Sequence, residues 1–158
     1  METEQLFSAI RSQDKETVHN ILNNNPELAS AKDQRGSSPL LLATYYGHVD
    51  IAEEILKHDK NINAQDASGN TALMGVCFKG YPEMAKLLID SGADVNCINF
   101  NGATALIYAA TFNQKDIVEL LLAKGADRDV KDGRGQSAAD HARMQGLEEI
   151  VNLIEEND

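Results

Sequence analysis

The residues whose types and spacing come nearest to catalysis are Ser137, Asp140 and His141, a hydroxyl, a carboxylate and an imidazole within one helical turn. As chemistry they would be a nucleophile, an acid and a base, the parts of a hydrolase. As structure, Ser-x-x-Asp ahead of a helix is a cap whose side chains satisfy the first backbone amides. Local helical spacing rarely lets a base be oriented by a third group, so the cap is the expected reading and no catalytic residue is assigned.

The remaining reactive side chains are dispersed. His19, His48 and His58 stand singly, and Cys77 and Cys97 are isolated at small-residue slots. Neither set has the spacing of a zinc site or a disulfide framework, so two small buried thiols are expected. Acidic pairs such as Glu53-Glu54 and Glu148-Glu149 read as solvated helix backs. No phosphate loop, Cys-x-x-Cys pair, His-Glu-x-x-His helix or calcium loop occurs, and no metal or cofactor is expected.

What positions these residues is a repeat. Gly36, Gly69, Gly102 and Gly135 recur every 33 residues without an insertion, the mark of a stacked architecture. In each period Ser38, Thr71, Thr104 or Ser137 stands where a helix N-cap belongs, and Pro39 follows at the first helical position. Leu40 and Ala43, Leu73 and Val76, and Leu106 and Ala109 then mark one helical face. Gly47, Gly80 and Gly146 end that helix, with Asn113 in the fourth copy, because a left-handed turn penalises a Cβ.

Asp50, Glu83, Asp116 and Glu149 open a second helix at its positive dipole end. That helix buries Ile51 and Ile55, Met84 and Leu88, Ile117 and Leu121, and Ile150 and Ile154. Gly92 and Gly125 terminate two copies, and Asp59 is expected to do so less well. Residues 4–23 repeat the helical pattern without the glycine hairpin, through Leu6, Phe7, Ile10, Val18, Ile21 and Leu22. Glu155 and Asp140 replace apolar residues of the internal copies, as an end repeat without an outer neighbour requires.

The expected organisation is one domain over 1–158. It has an N-terminal capping repeat at 1–34, internal repeats at 35–67, 68–100 and 101–133, and a C-terminal capping repeat at 134–158.

Composition limits the function. With 25 acidic and 14 basic residues the net charge is −11, a field that disfavours nucleic acid and anionic membrane as partners. Met1-Glu-Thr-Glu-Gln-Leu-Phe7 does not look like a secretion signal, and no stretch is long enough to span a bilayer. A cytoplasmic location is expected.

With these residues in view the chain resembles an ankyrin-repeat protein over essentially its whole length. Gly36-Ser-Ser-Pro-Leu40, Gly47-His48 and Ser91-Gly-Ala-Asp-Val-Asn96 are the closest copies of that family's opening, turn and ending. The resemblance implies an all-α solenoid of helix-turn-helix pairs joined by hairpin loops. It also implies a structural role for His48. The family's histidine after Pro-Leu is replaced here by Leu41, Met74, Ile107 and Asp140, so apolar packing is expected to substitute for its hydrogen bonds. Arg128-Asp129 stands where the family has Val-Asn. Short inhibitors of cyclin-dependent kinases have about this many repeats, but their second repeat has a shortened first helix, whereas Ser38 to Tyr46 reads as a normal one.

The resemblance further implies that hairpin tips and the exposed ends of first helices face a partner. The binding residues expected here are Arg35, Tyr45, Tyr46, Phe78, Lys79, Phe100, Phe112, Arg134 and Met144. The tips and helix ends together hold five of the chain's eight aromatics, five basic residues and no acid, against about one aromatic by random placement. The expected partner is therefore a protein segment, acidic and partly apolar, held by a monomeric, non-catalytic adaptor or inhibitor on a concave face with an aromatic centre and a basic rim. The alternatives are a self-associating structural protein, a hydrolase using the C-terminal repeat and, more weakly, a nucleic-acid binder using the basic rim. A further expectation is that Gly75, where neighbouring copies carry Leu42 and Tyr108, leaves room for the Tyr108 ring.

Overall fold

Hydroxyl caps set the register of the molecule, whose computed structural model describes residues 2–156. Ser38, Thr71, Thr104 and Ser137 each accept a hydrogen bond from the amide three residues on, at 3.2–3.3 Å. These caps start α3 (Pro39–Tyr45), α5 (Ala72–Lys79), α7 (Ala105–Thr111) and α9 (Ala138–Met144). A left-handed residue then reverses the chain, at φ 74° for Gly47 and at φ 59° for Asn113. The returning helices are α4 (Val49–Leu56), α6 (Pro82–Asp90), α8 (Lys115–Ala123) and α10 (Glu148–Glu156). Ahead of them, α1 (Glu2–Arg11) and α2 (Lys15–Asn24) form a first pair, with Asp14 capping α2. A 3₁₀ turn at Pro26–Ser30 follows, which periodicity does not announce.

The first helices stack α1 on α3, α3 on α5, α5 on α7 and α7 on α9; behind them α2 packs on α4, and α6 on α8 on α10. The result is an all-α, two-layer array, with no strand among the described residues. Every apolar residue assigned to the core above is buried, from Leu6 and Ile10 through Ile55 and Leu88 to Ile154. Each fully buried aliphatic side chain of this kind contributes about 1.5–3 kcal/mol.

The connecting hairpins are built on a second 33-residue series. Asp33, Asp66, Asn99 and Asp132 each turn Oδ1 onto two backbone amides of their own loop, at 2.9–3.1 Å. Adjacent hairpins are tied by backbone: Ala67 N donates to Arg35 O (3.4 Å), Phe100 N to Ser68 O (3.2 Å) and Gly133 N to Asn101 O (2.8 Å). Gln65 Nε2 adds a bond to Ile98 O, and Lys32 Nζ one to Gln65 O. Leu41, Met74 and Ile107 are buried, so the slot of the family's histidine does pack as hydrocarbon while the main chain carries the ties. Asn63 and Asn96 Oδ1 accept the Asp94 and Asp127 amides of the following repeat. Where Val-Asn is replaced, Arg128 Nη1 donates to Ile154 O instead.

Three expectations fail here. Glu54 is not on a solvated back: it is 3% exposed, and its carboxylate meets His19 Nδ1 at 2.9 Å, Lys57 Nζ at 3.3 Å and His58 Nε2 at 3.7 Å. It follows that His19 and His58 are not scattered singly, since both converge on this carboxylate. Burial pushes the Glu54 carboxyl up, but bonds from His19 and Lys57 outweigh it and hold it below the ordinary value. Asp59 does not form a left-handed turn, having no positive φ. Its Oδ1 instead caps the Asn61 amide while Oδ2 is buried without a partner, and that burial raises its carboxyl.

Candidate functional site

Apolar surface remains uncovered at the ends of the first helices and on one connecting hairpin. Among the described residues the exposed large hydrophobics are Tyr45, Tyr46, Phe78, Ile98, Phe100, Phe112 and Met144. Six of the seven are binding residues expected from the sequence, and the seventh, Ile98, lies in the same connecting loop as Phe100. A cluster of exposed apolar side chains makes this face the candidate contact surface.

The geometry joins some of them and separates others. A groove of about 790 Å³ runs along α3 and α5, lined by Arg35, Tyr45, Tyr46 and Phe78 together with Arg11, Leu41, Leu42, Gly75 and Tyr108. Phe112 extends it by an edge-on contact with Phe78, ring centroids 4.8 Å apart. Lys79 Nζ sits 4.7 Å over the Tyr45 ring, and Tyr45 meets Tyr46 edge-on at 5.8 Å. Tyr46 also stacks on His48 at 5.8 Å, and burial lowers the His48 pKa.

Phe100 faces elsewhere: its ring lies against Gly69, where a Cβ would come within 2.8 Å of Cδ1, and it borders a separate depression with Asp59, Asn61 and Ala64. Arg134 and Met144 are exposed at the far end; Met144 Sδ accepts from Gln136 Nε2, and neither residue lines the groove.

Two expectations about this surface need correction. The groove is not free of acid, because Asp33 and Asp66 line it together with Arg11 and Arg35. Their carboxylates are there as hairpin caps, a structural duty that tip positions alone do not reveal. Nor does Gly75 make room for Tyr108. A Cβ built on Gly75 meets nothing within 4 Å, whereas the Tyr108 hydroxyl donates to Asn70 Oδ1 (3.2 Å) and accepts from Asn99 Nδ2 (3.1 Å). The hydroxyl is thus drawn to the hairpins, and Gly75 is open groove floor. Arg11, on the first repeat, was missed because helical spacing marks only its neighbours Leu6, Phe7 and Ile10.

The C-terminal hydroxyl, acid and imidazole separate into two structural devices. Ser137 Oγ accepts from Asp140 N (3.2 Å) while Asp140 Oδ2 accepts from Ser137 N (3.0 Å), a complete capping box. His141 turns to the hairpin, with Nε2 2.6 Å from Asp132 Oδ2. Burial pushes the Asp132 carboxyl up, but the bonds from His141, Gln136 and Arg134 hold it low overall. Cys77 is buried as expected, but Cys97 is only half-buried; burial raises both thiols, Cys97 with help from Asp94, which disfavours the thiolate a nucleophile needs. No group of three His, Cys, Asp or Glu suited to a metal occurs among the described residues.

The sequence profile described as ankyrin repeats in three copies matches residues 6–99 and again 76–158. The chain belongs to the ankyrin-repeat family. Ankyrin repeats are generally protein–protein interaction modules, and the family is typically non-catalytic. No helix among the described residues is long and apolar enough to cross a membrane.

Proposed function

We propose that this ankyrin-repeat protein is a non-catalytic adaptor or inhibitor that holds a protein segment along the first-helix and hairpin face. The observation that carries this reading is the coincidence of a groove with the exposed rings Tyr45, Tyr46 and Phe78. Aromatic anchors in a groove are where interfaces concentrate their binding energy. The array is rigidly tied from hairpin to hairpin, so binding orders little of the protein itself. The effect on the partner is steric: it acts by what it covers or bridges, as a cytoplasmic monomer.

The test is a pull-down comparing wild type with Tyr46→Ala, Phe78→Ala and Phe112→Ala combined, with circular dichroism on both. A protein retained by wild type and lost from the equally folded variant supports the reading. Equal capture by both moves the binding surface off this face. Light scattering across a concentration series checks the monomer.

A further inference from the structure

At the slot facing the groove on successive first helices the chain places Leu42, Gly75 and Tyr108. Gly75 sits inside α5 with nothing within 4 Å of a built Cβ, so one side chain's worth of space is missing from an otherwise continuous row. A helix-interior glycine costs about 1 kcal/mol relative to alanine, and no positive φ or close approach here calls for it. Leu42 and Phe78 make the gap apolar on one side; the Tyr108 hydroxyl is already bonded and offers no free polar group. At the N-terminal end of the same groove stand Arg11 and Arg35, both exposed, whose guanidinium groups make no hydrogen bond or ion pair among the described residues. Asp33 supplies one carboxylate beside these two guanidinium groups, so in a chain of net charge −11 this end of the groove keeps a local positive excess that suits a further carboxylate.

We propose that the gap at Gly75 is a pocket for one bulky apolar side chain of a partner segment, and that Arg11 and Arg35 pair with a carboxylate of the same segment. This rests on the groove being the binding face. Arg35 and Gly75 belong to adjacent repeats, and stacked helices lie about 8–10 Å apart. An extended peptide rises roughly 3.3 Å per residue, so an acid on Arg35 stands about three positions from the apolar residue, and one reaching Arg11, two stacked helices from Gly75, about five or six. Asp66, on the next hairpin, disfavours an acid further along the groove, whereas Asp33 lies beside Arg35 at the arginine end.

The experiment is selection of a random 12-residue phage library on the full chain. Titration calorimetry of the enriched synthetic peptides follows, against wild type, Gly75→Ala, Gly75→Leu, the pair Arg11→Gln and Arg35→Gln, and the pair Tyr46→Ala and Phe78→Ala. Enriched peptides are expected to share an Asp or Glu about three to six residues from a Leu, Phe, Tyr or Trp. Filling the pocket with Gly75→Leu should weaken them about tenfold to a hundredfold, with Gly75→Ala in between and no fall in thermal midpoint for either. Neutralising both arginines should weaken binding and flatten its salt dependence.

Peptides that lose binding with Tyr46→Ala and Phe78→Ala yet bind Gly75→Leu within twofold of wild type overturn the pocket and leave the groove standing. Peptides indifferent to all these variants overturn the groove itself. A selection yielding no such spacing also overturns the proposal.

Discussion

Replacing Glu54 with glutamine tests whether the buried carboxylate is a fastener between the first two helix pairs. Its Oε2 bonds His19 of α2 at 2.9 Å, and its Oε1 bonds Lys57 at 3.3 Å. Hydrogen bonds to charged groups contribute about 1.5–3 kcal/mol each, but glutamine keeps a neutral bond to His19, and the exposed ends of His19 and Lys57 can rehydrate. The expected loss at pH 7 is therefore about 1–2 kcal/mol, read as a lower urea midpoint with unchanged slope.

The pH dependence follows from the depressed carboxyl. Its stabilisation is fully present above the unfolded value, about 4.3 for glutamate, and is lost as pH falls through the lower folded value. Wild type and Glu54→Gln should thus converge in urea titrations run at successively lower pH. A deficit as large at pH 3 as at pH 7 would refute the electrostatic account and leave shape as the cause.

Other outcomes follow from single contacts. Gly75→Ala should raise stability by about 0.5–1 kcal/mol, seen as a higher thermal midpoint, because its Cβ meets nothing and its backbone is helical. Asp59→Asn should stabilise at neutral pH by removing a partly buried charge whose Oδ2 lacks a partner. Its raised carboxyl means that this gain fades in acid, where the wild-type group is also neutral; a gain independent of pH would contradict the cause. Ser137→Ala should lose about 1 kcal/mol of stability through its capping box while leaving any ester-hydrolase background unchanged, and a lost activity would revive a catalytic reading.

What the sequence disclosed was what lies within one repeat. The 33-residue glycine series, the Ser or Thr caps and the three- and four-residue apolar spacings are local, and α3 to α10 follow them. What it concealed lies between repeats. Glu54 looks like its neighbour Glu53 in a helical pattern, and only its contact with His19, 35 positions earlier, explains its burial. Tyr108 is bound by Asn70, 38 positions away, so Gly75 could be seen as unusual without being seen as empty. Phe100 matched the aromatic pattern of the tips, yet hairpin residues face both sides of the array, and the contact with Gly69 decides which.

The ladder joining the hairpins has a consequence for how this surface can vary. Each rung runs from an amide to a carbonyl, Ala67 to Arg35, Phe100 to Ser68 and Gly133 to Asn101, so Arg35 and Ser68 contribute only their carbonyls, while Gly133 has to stay small beside Asn101 O. Pitch and presentation are thereby uncoupled at Arg35 and Ser68: the main chain holds the spacing of the repeats while those two tips are free to change. Mutational drift at Arg35 or Ser68 would change the surface on display and leave the array that displays it in register.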